Sequence, residues 1–312
     1  MTTLAMLFPG QGSQSVGMLA ELAAERDEIR STFEQAGEVL GMDLWTLVSE
    51  GPGDQLDRTE LTQPAMLAGG IAVWRVWRAL GGPMPTMLAG HSLGEYTALV
   101  AAEALEFADA VRVVSMRGKL MQSAVPAGVG AMAAILGLED EVVEAICREA
   151  REDQVVAPAN YNSPGQLVIA GHSAAVERAM HKCRDAGAKR AVILPVSVPS
   201  HSELMIPAAE GLAKVLAEID ISSPKTPVLH NIDCQARDEP EQIREALVGQ
   251  MSAPVRWTGT IQAMLAGGVE QLAECGPGRV LSGLVRRIDR KLPCASLGQV
   301  SQIESLIGEL EN

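Results

Sequence analysis

Up to about residue 125 the chain alternates short apolar runs with longer stretches of helical periodicity, and few folds accept that alternation. "LAMLF" (4–8) reads as a buried strand, and "MLAELAAERDEIRSTFEQAGEVLG" as a helix ending at Gly41. "QPAMLAGGIAVWRVWRALGG" is a second helix, stopped by Gly81-Gly82-Pro83, and "PTMLAG" is a short strand leading into His91-Ser92. Strands joined through helices run parallel, so a mainly parallel sheet covered on both faces is expected.

The rhythm changes between Gly128 and Ser197. "GAMAAILG", "QVVAPANY", "QLVIAG" and "KRAVILPV" read as strands, with "EDEVVEAICREARE" and "SAAVERAMHKCRDAGA" as helices and Asn-Ser-Pro-Gly as the turn between the middle strands. This β-α-β-β-α-β order is that of a ferredoxin-like unit. The expected organisation is a large α/β domain, 1–127 and 198–312, interrupted by a compact insert, 128–197. After the insert "ELMIPAAEGLAKVLAEI" and "PVRWTGTIQAMLAGG" read as helices, and "TPVLHNI" and "VEQLAEC" as strands.

Composition sets limits on function. The chain has 312 residues, 47% hydrophobic and 21% charged, enough for a sizeable core. Its 39 acidic and 25 basic residues leave a net charge of -14, which argues against nucleic acid as a partner. The five cysteines (Cys147, Cys183, Cys234, Cys275 and Cys294) form no C-x-x-C pair and are expected to be reduced, buried thiols. No basic, apolar leader opens the sequence, and no window reaches the ~20 apolar residues of a membrane span. A cytoplasmic protein is expected.

Two glycine loops carry the chemistry. Gly90-His91-Ser92-Leu93-Gly94 fits G-x-S-x-G between a strand and a helix, where a serine sits on a sharp turn at the positive end of the helix. The bland alternative for Ser92 is a cap in a glycine turn. Gly171-His172-Ser173 repeats the triplet without the second glycine, and there Ser173 reads as a helix N-cap. In "PGQGSQSVG", Gly12 to Gly17 fits G-x-x-x-x-G, yet Met18-Leu19 stands where a phosphate loop needs Lys and a hydroxyl. Ser15 takes the third glycine of the dinucleotide version. What remains is a loop with free N–H donors.

A serine nucleophile needs a base, and five histidines are available. His91 adjoins Ser92 and should point away; His172 and His181 fall in the insert, and His230 in "TPVLHNI". His201, in the turn "PVSVPSHSELM", is the best placed, though place alone does not decide it. No Asp or Glu stands out as a third member. In "FADAVRVVSMRGKLMQSA", Arg117 has Val113, Val114, Leu120 and Met121 as its helical neighbours, which puts it on the buried stripe. A buried guanidinium needs an anion: an internal carboxylate, a route to the surface, or a substrate carboxylate.

In this order, "FPGQGSQSVGM", "TELTQPA", "GHSLGEYTAL", "MRGKLMQ", "NYNSPGQLVIAG", "VSVPSHSELM" and "CGPGRVLSGL" resemble the malonyl-CoA:acyl carrier protein transacylase family of fatty-acid synthesis over essentially the whole chain. The resemblance implies a hydrolase-like α/β domain with a ferredoxin-like insert, and transfer of malonyl from malonyl-CoA to the pantetheine thiol of an acyl carrier protein. It also implies an acyl-serine at Ser92, a catalytic His201 and a malonate-binding Arg117. The backbone N–H groups of Gln11 and Leu93 would form the oxyanion hole, and the main-chain carbonyl of Gln250 would steady the histidine. Gln63 and Asn162 would line the pocket. No metal or cofactor is implied, and a monomer is expected. Related polyketide acyltransferases that select malonyl often carry Phe before the histidine; here Ser200 stands, which leaves exclusion of methyl-branched extenders open.

Two other functions compete. A serine esterase or thioesterase would need an acid on its base and no buried arginine. A nucleotide-binding module would use the N-terminal glycines. For carrier docking, Arg286, Arg287, Arg290 and Lys291 form one basic spot and Lys189-Arg190 a second, each also readable as a solvated face.

Overall fold

The computed structural model describes residues 2–126, 128–196 and 198–311. Nine strands lie among them: β1 (Leu4–Phe8), β2 (Met87–Gly90), β3 (Gly130–Leu136), β4 (Val156–Ser163), β5 (Gln166–His172), β6 (Arg190–Ile193), β7 (Val228–Leu229), β8 (Gln271–Glu274) and β9 (Cys294–Ser296). They form two sheets of opposite character. One has the order β7-β2-β1-β8-β9, and every pairing in it is parallel. The other has the order β4-β5-β3-β6, and every pairing is antiparallel. The chain is thus mixed α/β.

β1 shows why the first strand reads as a continuous apolar run. Leu4, Met6 and Phe8 face one core while Ala5 and Leu7 face another, so no position is left for a polar side chain. The first core is closed by helices Asp27–Leu40, Thr59–Ala79 and Phe107–Ala124. The second is closed by Trp257–Ala266 and Val280–Ile288. Helix Thr59–Ala79 packs against both other helices of its layer, which also touch each other.

Two sequence expectations change in detail. The long first helix is two, Ala20–Glu25 and Asp27–Leu40, broken at Arg26 (φ -138°, ψ 113°). Arg26 closes one helix and opens the next, its guanidinium pairing with Glu28, while Asp27 and Glu28 suit the positive end of the second helix. "TPVLHNI" is strand only at Val228–Leu229, so His230 lies just beyond the sheet.

In the antiparallel sheet, helices Asp140–Arg151 and Ser173–Asp185 cover one face. Met132, Ala159, Val168 and Ala170 make a small cluster of their own. A stitch joins the two sheets' surroundings: Tyr161 N–H donates to Val255 O at 2.9 Å and Val255 N–H to Ala159 O at 2.9 Å. The strand and helix order expected for the insert is present. Its expected boundaries fall at Ala127 and Ser197, which lie outside the described residues. No helix among the described residues is long and apolar enough to cross a membrane. Cys147, Cys183 and Cys275 are buried, but Cys234 and Cys294 are only partly so.

Candidate active site

β2 ends at Gly90 and a helix starts at Gly94, which leaves three residues for the reversal. Ser92 sits in that turn at φ 52°, a conformation that costs a non-glycine residue about 1–3 kcal/mol. The flanking glycines are required by close approach. A Cβ on Gly90 would lie 1.8 Å from the carbonyl carbon of Gly94, and one on Gly94 would lie 2.1 Å from Phe8 O.

His201 meets this serine across 109 residues of sequence. Its Nε2 stands 2.7 Å from Ser92 Oγ, and its Nδ1–H donates to Gln250 O at 2.8 Å. Because Nδ1 faces a carbonyl, which only accepts, the lone pair is left on Nε2, toward the serine hydroxyl. His201 also has a positive φ, 62°, held by its N–H to Met251 O at 3.1 Å. Burial, with the Arg117 charge second, pushes its pKa down to about 3, so the ring is neutral and its Nε2 lone pair is free.

Arg117 lies on helix Phe107–Ala124 and is 1% exposed. It has no carboxylate in ion-pair range among the described residues. Instead Nη1 donates to Gln63 Oε1 at 2.8 Å, and Nη2 donates to Gln250 Oε1 at 3.0 Å and to Ser92 Oγ at 3.3 Å. Tyr96 lies beneath, its ring centroid 5.6 Å from the guanidinium carbon. Burial lowers the pKa of this arginine, yet a guanidinium stays charged in proteins. The result is a buried cation solvated by amides and a ring, with capacity left for an anion.

These groups open into a cavity of about 440 Å³. Gln11 and Leu93 line it next to Ser92, and neither backbone N–H has a hydrogen-bond acceptor among the described residues. The neighbouring Gly12 N–H, by contrast, is occupied by Gln14 Oε1 at 2.7 Å. Asn162 is on the wall, where it accepts from His91 Nε2–H at 2.8 Å. Gln63 is fully buried behind Arg117 and reaches the cavity through that guanidinium. Met132, Val168 and Leu284 supply apolar wall.

The remaining histidines sort by place. His91 points to Asn162, His230 to Glu95, His172 Nδ1 accepts from Val155 N–H, and His181 is exposed on helix Ser173–Asp185, so none of them competes with His201 for Ser92. Ser173 is the first residue of its helix and not its cap; its hydroxyl donates to Gly128 O at 2.9 Å. Sequence reasoning missed the side chain of Gln250, which holds Arg117 as its carbonyl holds His201, and also missed Glu95 and Asn231. The one local signal was a glutamate inside the otherwise apolar start of the helix after the turn. No cluster able to hold a metal ion occurs among the described residues.

Comparison with known proteins bears on this geometry. The acyl transferase domain family matches residues 5–302. The chain is similar to the malonyl CoA-acyl carrier protein transacylase of Salmonella typhimurium, 53% identical over 307 residues that cover 98% of this chain and 99% of that protein. It is similar to the structure of malonyl CoA-acyl carrier protein transacylase from Coxiella burnetii, with a TM-score of 0.99, 50% identity, and 100% and 98% of the two chains covered. A further similar structure holds a type II PKS acyl-carrier protein in complex with its malonyl-transacylase (TM-score 0.97, 51% identity, 99% and 100% covered).

Proposed function

The chain belongs to the acyl transferase domain family, and from that we propose that it moves malonyl from malonyl-CoA to the pantetheine thiol of an acyl carrier protein through a malonyl ester on Ser92. The observation that carries this reading is Arg117: a buried cation with no carboxylate partner among the described residues, held by two amides and donating to the hydroxyl of the candidate nucleophile at 3.3 Å. An enzyme for neutral acyl groups has no use for it.

In the first step Ser92 Oγ attacks the thioester carbon while His201 Nε2 takes its proton. The N–H groups of Gln11 and Leu93 face the oxyanion, each worth roughly 3 kcal/mol in such sites. The tetrahedral species collapses, the C–S bond breaks, and CoA leaves as thiol with the proton from His201. In the second step the carrier's thiol gives its proton to His201 and attacks the ester carbonyl; the acyl C–O bond breaks and His201 returns the proton to Ser92 Oγ. Arg117 holds the free carboxylate throughout, and Gln250 O keeps the histidine tautomer fixed. No step calls for a metal or redox cofactor. A carbonyl on His201 stabilises an imidazolium less than a carboxylate would, which suits a thiolate leaving group and not an amine.

The docking of the carrier follows from charge at the cavity mouth. Helix Val280–Ile288 puts Leu281 and Leu284 on the cavity wall and leaves Arg286 and Arg287 exposed, with Arg287 hydrogen-bonded to the cavity residue Gln166. We assign this patch, ahead of Lys189-Arg190, to the carrier. The strand order β4-β5-β3-β6 fits a ferredoxin-like subdomain at 128–197, set in a hydrolase-like domain formed by 1–127 and 198–312. The protein is proposed to act as a monomer in the cytoplasm, where free thiols remain reduced.

Mass spectrometry after incubation with malonyl-CoA tests the reading. A malonyl adduct on Ser92, absent from Ser92→Ala and cleared by holo-carrier, is expected. Rapid release of free malonate without carrier transfer would make the protein a thioesterase instead.

A further inference from the structure

Beneath the Ser92 turn lies a buried polar cluster of which the acyl-transfer steps use only Gln250. Glu95, His230, Asn231 and Gln250 are each 0% exposed. Glu95 Oε1 accepts from His230 Nδ1–H at 2.7 Å, and its Oε2 accepts from Asn231 N–H and from Gln250 Nε2–H, both at 2.9 Å.

The place of Asn231 in the sheet explains what the cluster does. β2 and β7 pair in parallel with Ala89 opposite Leu229, so two more residues of strand would set Asn231 opposite His91. The chain turns away instead: His230 N–H donates to Gln235 O at 3.0 Å and Cys234 N–H to His230 O at 2.9 Å. In a continued parallel ladder, the backbone of residue 231 would donate to Gly90 O and accept from Ser92 N–H. Those two groups are taken by its side chain. Asn231 Nδ2 donates to Gly90 O at 2.7 Å, and Oδ1 accepts from Ser92 N–H at 2.7 Å. The carboxamide replaces one missing peptide unit.

We infer that Asn231, anchored by Glu95, is a positioning residue for Ser92: its side-chain amide extends the sheet under the strained turn and fixes Oγ against His201 Nε2. This rests on Ser92 being the nucleophile, as proposed above. The same carboxylate oxygen that receives Asn231 N–H receives Gln250 Nε2–H, and Gln250 also donates to Ser92 O at 3.1 Å. Gln250 O in turn orients His201. Nucleophile and base therefore share one buried anchor. An aspartate at 231 would not serve, because an ionised carboxylate accepts but cannot donate to Gly90 O.

Asn231→Ala removes both bonds to the turn. In single-turnover acylation with malonyl-CoA, referred to folded enzyme, ester formation should slow on the order of 10- to 100-fold. KM for malonyl-CoA should stay within about twofold, since Arg117 is held by Gln63 and Gln250. A residue that served stability alone would lower Tm and leave the rate per folded molecule unchanged; that result overturns the inference. If Asn231→Ala does not fold, Asn231→Asp keeps the shape and the acceptor, and the same loss is expected; an unchanged rate again overturns it. In the unmodified protein, hydrogen exchange at Ser92 N–H should be as slow as in β1, and rapid exchange overturns the inference without any variant. Absence of a malonyl-serine in the unmodified enzyme would instead sink the acyl-transfer reading, so the two failures are distinct.

Discussion

Arg117 and His201 are electrically linked, and the pH dependence should show it. Burial first and Arg117 second hold the His201 pKa near 3 against an ordinary value of 6.5. Protonation removes the base, so activity is lost as pH falls through the folded value, and the acid limb of kcat/KM for malonyl-CoA should lie well below the usual histidine range. The unfolded chain takes up that proton from 6.5 downward, so stability also falls with pH between those two values. Arg117→Ala should cut malonyl kcat/KM about 100-fold or more while sparing acetyl-CoA, and should move the acid limb upward. An unchanged malonyl-to-acetyl ratio in that variant would rule out the clamp. Arg117 was legible in the sequence because its four helical neighbours are apolar. The partners of Glu95 and Asn231 were not, because those contacts span 135 to 155 residues and nothing local marks Asn231.

Elements were legible where local chemistry decides them. The strand, turn and helix around Ser92 followed from two glycines, and the structure gives the reason in distances. Gly94→Ala would press a Cβ against Phe8 O, a backbone atom that cannot move without shifting β1. A loss of about 2–4 kcal/mol is expected, with acylation lost as well. Gly283→Ala is the control: it lies exposed within helix Val280–Ile288 with nothing within 4 Å of a Cβ, and should gain roughly 0.5–1 kcal/mol. Thermal unfolding of the pair measures both signs. The break at Arg26 was hidden because neither glycine nor proline marks it. The early end of β7 was hidden because its continuation is supplied by a side chain.

On the scale of the molecule, the parallel sheet supplies the serine turn and the antiparallel sheet supplies part of the opposite cavity wall. The chain carries a net charge of -14, so attraction through the basic patch proposed for the carrier has to be local. Charge reversal at Arg286 and Arg287 should raise the carrier KM about tenfold, leave acylation by malonyl-CoA nearly unchanged, and weaken the salt dependence of transfer. An unchanged carrier KM would remove this patch from consideration. A last consequence comes from the cavity itself. In the proposed reaction Ser92 serves two thiols in turn from the same cavity, and the thioesters entering and leaving contain the same bond. Nothing in the arrangement favours one direction. The protein would behave as a turnstile without a ratchet: net traffic is set by whichever reaction consumes the loaded carrier, and returning CoA drains malonyl back through the same serine.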